Sequence, residues 1–296
     1  MTLVAFALVL GAAVSHATWN LAAKRASDGG IVFVWVLAVI STVLYAPAAI
    51  YVAHPLSLPA LTVIAISAVV HLGYFLLLQR GYVVGDLSVV YPLARGSGPL
   101  LAVIAAIIVL GDRPNLVALS GAALVVTGIL IIGTGAARAG ATIAETALPD
   151  PEASVRRGTG IGYGLAAGVL IATYTVVDAA AVKAFAVTPI LFDWANNTIR
   201  TALLTPYAVR HRSKISQVWR EHWRAALVVS TLGPLGYILV LYAFTLAPVS
   251  LVAPARELSI VVGTLFGLWL LREPQGVRRI FGAVLVVAGV AALALS

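Results

Sequence analysis

The chain has 296 residues, of which 61% are hydrophobic and only 10% charged, against roughly 25% charged in a soluble domain. That balance excludes a water-soluble globular protein; at roughly 20 apolar residues per span the length accommodates about ten membrane crossings, short loops and no large soluble domain. The net charge of +8 does not point to nucleic acid, because Lys and Arg sit in loops between apolar runs, where anionic lipid headgroups attract them. The absence of cysteine excludes a disulfide framework and thiol chemistry.

In chain order, apolar runs bounded by charge, Pro or Gly predict spans near 2–23, 31–53, 59–79, 87–110 and 114–134. Five more follow near 160–182, 189–209, 225–246, 249–271 and 277–295. The first run lacks a basic leader and a clear cleavage site, so it is read as a span rather than a signal peptide. A polar stretch with Arg138, Glu145, Asp150, Glu152, Arg156 and Arg157 divides the chain. The expected organisation is a first five-helix repeat over 1–136, a linker over 137–157 and a second repeat over 158–296.

The repeat is written in the residues. Gly121-Ala122-x-Leu124-Val125-Val126-x-Gly128 recurs as Gly282-Ala283-x-Leu285-Val286-Val287-x-Gly289, an offset of 282 − 121 = 161. Asp112 and Glu273, and Arg95 and Arg256, keep that offset; Pro92 and Pro254 differ by 162, and Leu72-Gly73-Tyr74 and Leu235-Gly236-Tyr237 by 163. Five crossings are an odd number, so the second copy must traverse the bilayer in the opposite sense. The predicted fold is an all-α integral membrane protein of about ten transmembrane helices in two inverted five-helix repeats.

Charged side chains inside a span cost roughly 2.5 to 3.5 kcal/mol each, so they face the bundle interior, where they pair or line a polar cavity. The intramembrane inventory is Arg95, Arg200 and Arg256 against Asp178, Asp193 and Glu257. Buried ion pairing alone accounts for such a set; a solute pathway accounts for it equally. Tyr91-Pro92-Leu93-Ala94-Arg95 and Ala253-Pro254-Ala255-Arg256-Glu257 occupy corresponding places in the two repeats. Pro interruptions at matching positions point to a midplane binding site, because unwound backbone is tolerated only beside protein or a cavity.

Asp193, Asn196, Asn197 and Arg200 recur at i, i+3, i+4 and i+7 on the seventh span, one polar helical face that is either a seam between helices or a pathway wall. His16, Trp19 and Asn20 share a face of the first span, Tyr174 and Asp178 stand four apart on the sixth, and His71 and Tyr74 lie one turn apart on the third, with Tyr237 the repeat counterpart of Tyr74. Aromatic rings offer a solute a flat apolar wall, and a His or carboxylate beside them can take up a proton. The run Gly158 to Gly164 mimics a dinucleotide loop, but no strand precedes it; Gly160, Gly164 and Gly168 instead form a small-residue packing face. No nucleophile elbow, Walker loop, zinc-binding His pair or cofactor motif stands in a suitable context, so no catalytic, metal or cofactor residue is expected.

Together, His16-Ala17-Thr18-Trp19-Asn20 with Lys24, the Tyr91-Pro92…Arg95 and Pro254…Arg256-Glu257 stretches, and the acids Asp112 and Glu273 before Pro114 and Pro274 resemble the drug/metabolite transporter superfamily, specifically its proteins with two EamA domains. The resemblance covers nearly the whole chain. It implies a central cavity, alternating access and movement of small organic solutes such as amino acids, nucleotide sugars or drugs, with Asp112 and Glu273 capping helix ends or pairing loops.

The expected function is therefore a secondary transporter of small organic metabolites in the cytoplasmic membrane, an exporter with proton coupling as a further expectation. A lipid-carrier flippase or a membrane enzyme acting on lipid-linked substrates is the alternative. The expected partners are the solute, the bilayer and protons, with no nucleic acid, and the assembly is a monomer or homodimer. Loops after odd-numbered spans hold fourteen Lys and Arg residues, among them Arg156, Arg157, Arg210, Arg212 and Lys214, whereas the other loops hold Arg113 and Lys183. By the positive-inside rule this bias puts both termini outside the cytoplasm, whereas the family resemblance implies both inside.

Overall fold

A computed structural model describes residues 1–24, 26, 29–85, 87–141, 151–269 and 277–296. In a bilayer every backbone N–H and C=O must be satisfied within the segment or its neighbours, and the α-helix does this locally. The helices are α1 (Leu3–Lys24), α2 (Gly30–Tyr51), α3 (Leu58–Val84), α4 (Leu87–Ala105), α5 (Leu116–Ala141), α6 (Pro151–Lys183), α7 (Pro189–Arg210), α8 (Arg212–Leu246), α9 (Val249–Ala255), α10 (Leu258–Trp269) and α11 (Val277–Leu295). A wider helical turn, Ala106–Leu110, extends α4. Gly111 ends it with φ 71°, a left-handed conformation that suits glycine.

These helices place every predicted span, with α9 and α10 sharing the ninth. Among the described residues, eight stretches are long and apolar enough to cross a membrane by length and composition alone. The other two are α7, whose polar stripe lowers its apolarity, and the ninth span, which is broken into two short pieces. The fourth span behaves differently from the ninth: α4 runs unbroken through Pro92 and Pro99, whereas the chain turns at Arg256 and Glu257 between α9 and α10. Matching prolines therefore do not produce matching breaks. α8 has 35 residues, about 52 Å of helix, longer than the roughly 30 Å that a hydrocarbon core requires; its first turns carry Arg212, Lys214, Arg220, Glu221 and Arg224.

Packing divides the chain into two compact units. One comprises Met1–Thr2, Val70–Val176 and Ala247–Ser296, the other Leu3–Val69 and Val177–Leu246. Each unit takes segments from both sequence repeats, and α3 and α6 each contribute to both units.

In the first unit α5 lies against α11, and the duplicated glycine motif packs on its own copy. A Cβ on Gly128 would come 2.5 Å from the Gly282 carbonyl oxygen, and one on Gly121 would come 2.8 Å from that of Gly289. Since Gly121 corresponds to Gly282 and Gly128 to Gly289, each motif meets the other end of its duplicate. This is the reciprocal contact of a two-fold, antiparallel pair. Without a hydrophobic effect to drive helices together in lipid, such close backbone approach supplies the dispersion contact that does. The same rule explains α6 on α4, where a Cβ on Gly164 would meet Leu93 Cβ at 2.8 Å.

The second unit is knitted by side-chain hydrogen bonds onto α2. Trp35 Nε1 donates to Thr205 Oγ1 at 3.0 Å and Trp194 Nε1 to the Thr42 carbonyl at 2.9 Å, joining α2 to α7. Ser41 donates to the Ser230 carbonyl while Ser230 donates to that of Leu37, a reciprocal clasp of α2 and α8. On α1, Ser15 donates to the Leu232 carbonyl at 2.7 Å.

Substituting Gly128→Leu should lower stability by about 1–3 kcal/mol through overpacking. Gly162→Ala, where a Cβ meets nothing within 4 Å, should leave it unchanged or raise it by up to about 1 kcal/mol. Thermal unfolding of the detergent-purified protein reads both; equal melting of the two variants would disprove the helix contact.

Candidate functional site

In the first unit the polar side chains gather where the ninth span breaks. Pro254 removes a backbone donor near the end of α9, and the chain crosses to α10 by short turns: Glu257 N–H bonds the Pro254 carbonyl and Ile260 N–H that of Glu257. The break presents Arg256 and Glu257 side by side. The Glu257 carboxylate is 1% exposed and is held from both oxygens, with Arg256 Nε donating to Oε1 at 3.3 Å and Arg95 Nη1 of α4 ion-paired with Oε2 at 3.5 Å. The repeat-related arginines thus share one carboxylate.

Aromatic rings surround this triad. The Arg95 guanidinium lies 5.8 Å from the Tyr91 ring centroid and that of Arg256 lies 5.9 Å from Tyr174, within the range of cation–π attraction. His71 stacks on Tyr174 at 4.0 Å between centroids, and Tyr74 meets it edge-on at 5.8 Å. Ala94, Ala167 and Ile171 pack behind Tyr174 and hold its ring in place.

At the near end of α9, Asp112 Oδ2 accepts the Ser250 N–H at 2.8 Å, satisfying a donor that the first helical turn leaves unpaired. The expectation that Asp112 caps a helix end is met; its duplicate Glu273 lies outside the described residues.

In the second unit a hydrogen-bonded chain runs across four helices. Asp178 of α6, fully buried, accepts from Ser67 Oγ of α3 at 2.5 Å and from the Tyr237 hydroxyl of α8. Asn196 of α7 donates to Ser67 Oγ at 2.8 Å, and Arg200 donates to Asn196 Oδ1 at 3.4 Å. Asn197 donates to Asp193 Oδ2 at 2.9 Å. The α7 stripe therefore points inward, as its spacing predicts, with Asp193, Asn196 and Asn197 buried. On α1, His16 meets Trp19 edge-on at 4.7 Å, and Asn20 is half-buried beside them.

Of the sequence candidates, the structure brings Tyr91, Arg95, His71, Tyr74, Tyr174, Arg256 and Glu257 into one cluster, and Asp178, Tyr237, Asp193, Asn196, Asn197 and Arg200 into another. Ser67 was missed, although it stands four residues before His71 on the same helix. Its signal is a lone hydroxyl in an apolar run, which hydropathy alone does not register.

A family model described as the EamA-like transporter family matches residues 3–134 and 158–295. The chain belongs to the EamA-like transporter family. It is thus a multi-pass membrane protein with two EamA repeats, of a family that moves small molecules rather than transforming them. A solved structure described only as the crystal structure of a protein superposes with a TM-score of 0.76 at 18% identity, covering 98% of this chain and 96% of its own. At that identity it supports the fold alone. No curated protein matches.

Replacing Glu257 by Leu leaves two guanidiniums facing each other without their shared counter-charge, and should cost about 3–5 kcal/mol. Asp112→Ala removes one helix-end bond and should cost about 1 kcal/mol. Denaturant or thermal unfolding distinguishes the two, and a Glu257→Leu protein no less stable than Asp112→Ala would refute the shared-carboxylate geometry.

Proposed function

We propose that this EamA protein is a secondary transporter that exports small organic metabolites, such as amino acids or drugs, across the cytoplasmic membrane by alternating access. The observation that carries this reading is the pair of polar clusters on transmembrane helices. Such groups are expensive in lipid and are retained where a solute or ion must pass. Inverted repeats supply the means, since the two copies can exchange conformations and so open the protein alternately to either side. The residues of both clusters, together with His16, Trp19 and Asn20, meet the solute or its coupling ion during the cycle. The bias of fourteen basic residues against two supports termini on the extracytoplasmic side.

Proton coupling is assigned to Asp178. Glu257 faces guanidiniums, which only donate hydrogen bonds. Asp178 faces the hydroxyls of Ser67 and Tyr237, which either donate or accept. A carboxyl at Asp178 keeps its partners in both protonation states, and the Arg200 charge, relayed through Asn196 and Ser67, stands ready to respond to the change.

Reconstituted in liposomes, the protein should accumulate a transported solute against its gradient when a pH difference is imposed. Asp178→Asn should abolish that accumulation while solute exchange at equal pH persists within about threefold, since the amide keeps hydrogen-bonding capacity without the titratable proton. Accumulation by the wild type that ignores the pH difference would remove the coupling.

A further inference from the structure

The start of α8 takes no part in either polar cluster. From Ala225 to Leu246 the helix carries no charged side chain; at 1.5 Å per residue that stretch is about 33 Å long, which matches a hydrocarbon core of roughly 30 Å. The turns before it, Arg212 to Arg224, are surplus to the crossing and strongly basic: Arg212, Lys214, Arg220 and Arg224 stand against Glu221.

These turns have two faces. Val218 and Ala226 are buried in one apolar cluster with Val32, Phe33 and Val36 of α2, and His222 meets the Phe33 ring edge-on at 6.0 Å. The opposite face is open. Trp219, Trp223 and Leu227 follow one another at i, i+4 and i+8, a single row along the helix, and are 43%, 43% and 41% exposed. Arg220 and Arg224, also exposed, form a second row beside it. The Arg224 guanidinium lies 5.2 Å from the Trp223 ring centroid.

The charge on this face is uncompensated. Among the described residues, Arg212, Lys214, Arg220 and Arg224 have no carboxylate partner, whereas Glu221 accepts from Gln217 at 3.1 Å and lies 3.8 Å from His222. Arg220 Nε donates to the Ser216 carbonyl at 3.3 Å, which leaves its Nη groups for another acceptor. Tryptophan favours the membrane–water interface, where its ring meets acyl chains and its N–H meets water.

We infer that this face is the docking site of an anionic phospholipid. Arg224 stands at the edge of the hydrocarbon, the lipid phosphate accepts from Arg220 and Arg224 together, and an acyl chain descends along the row from Trp219 through Trp223 to Leu227. Both rows belong to one rigid helix held by α2, so the site is formed before the lipid arrives. Arg212 and Lys214 lie two turns or more beyond Arg220 and add to the field without touching the headgroup.

The full chain reconstituted in phosphatidylcholine liposomes tests this, with phosphatidylglycerol or phosphatidylcholine brominated along the acyl chains as the probe. Bromine quenches tryptophan on contact, and the signal of Trp219 and Trp223 is the difference between the wild type and Trp219→Phe/Trp223→Phe. Half-maximal quenching should need at least about fivefold less brominated phosphatidylglycerol than brominated phosphatidylcholine, the effect of one or more basic residues at an anionic headgroup. Arg220→Gln/Arg224→Gln, exposed substitutions that leave the α2 contact intact, should bring that ratio to about one, whereas Arg212→Gln/Lys214→Gln should change it by less than about twofold. A wild-type ratio near one would overturn the inference in favour of a soluble acidic partner. A ratio that survives Arg220→Gln/Arg224→Gln, or that falls as far in Arg212→Gln/Lys214→Gln, would overturn it in favour of a diffuse surface potential.

Discussion

Hydrocarbon gives a charged group no partner, and so a carboxylate or guanidinium on these helices has to find one within the protein. Much of what distinguishes this structure follows from that. Glu257 takes a guanidinium on each oxygen, Asp178 takes two hydroxyls, and Asp193 takes the amide of its neighbour one turn along. The helices bearing these groups are constrained by the partners they must reach. Apolar surface does little of this work, because lipid competes with it on equal terms.

The two clusters solve the same problem with different chemistry. Around Glu257 the partners are permanent cations, which only donate hydrogen bonds. Around Asp178 the hydroxyls of Ser67 and Tyr237 donate to the carboxylate, and a hydroxyl can accept as well as donate.

Duplication explains what is symmetric here, and later divergence explains what is not. The glycine motifs of α5 and α11 pack on one another with the reciprocity of a two-fold pair. The arginines at 95 and 256 are likewise duplicates. Yet α4 continues through its prolines while the ninth span breaks, and position 96 is glycine where 257 is glutamate.

Much was legible in the residues alone. Apolar run lengths placed the spans because bilayer thickness sets a fixed requirement, and the recurring landmarks revealed the duplication. The i, i+3, i+4, i+7 spacing from Asp193 to Arg200 showed a polar face that had to turn inward. What the order of residues left open was pairing, which depends on neighbours far along the chain. Only the folded arrangement shows that Arg95 and Arg256 converge on one carboxylate, that Ser67 completes the Asp178 network, and that segments of both repeats share each compact unit. Helix periodicity is local and survives in one dimension; which faces meet is decided by close packing and by the demand that each buried charge find its partner in three.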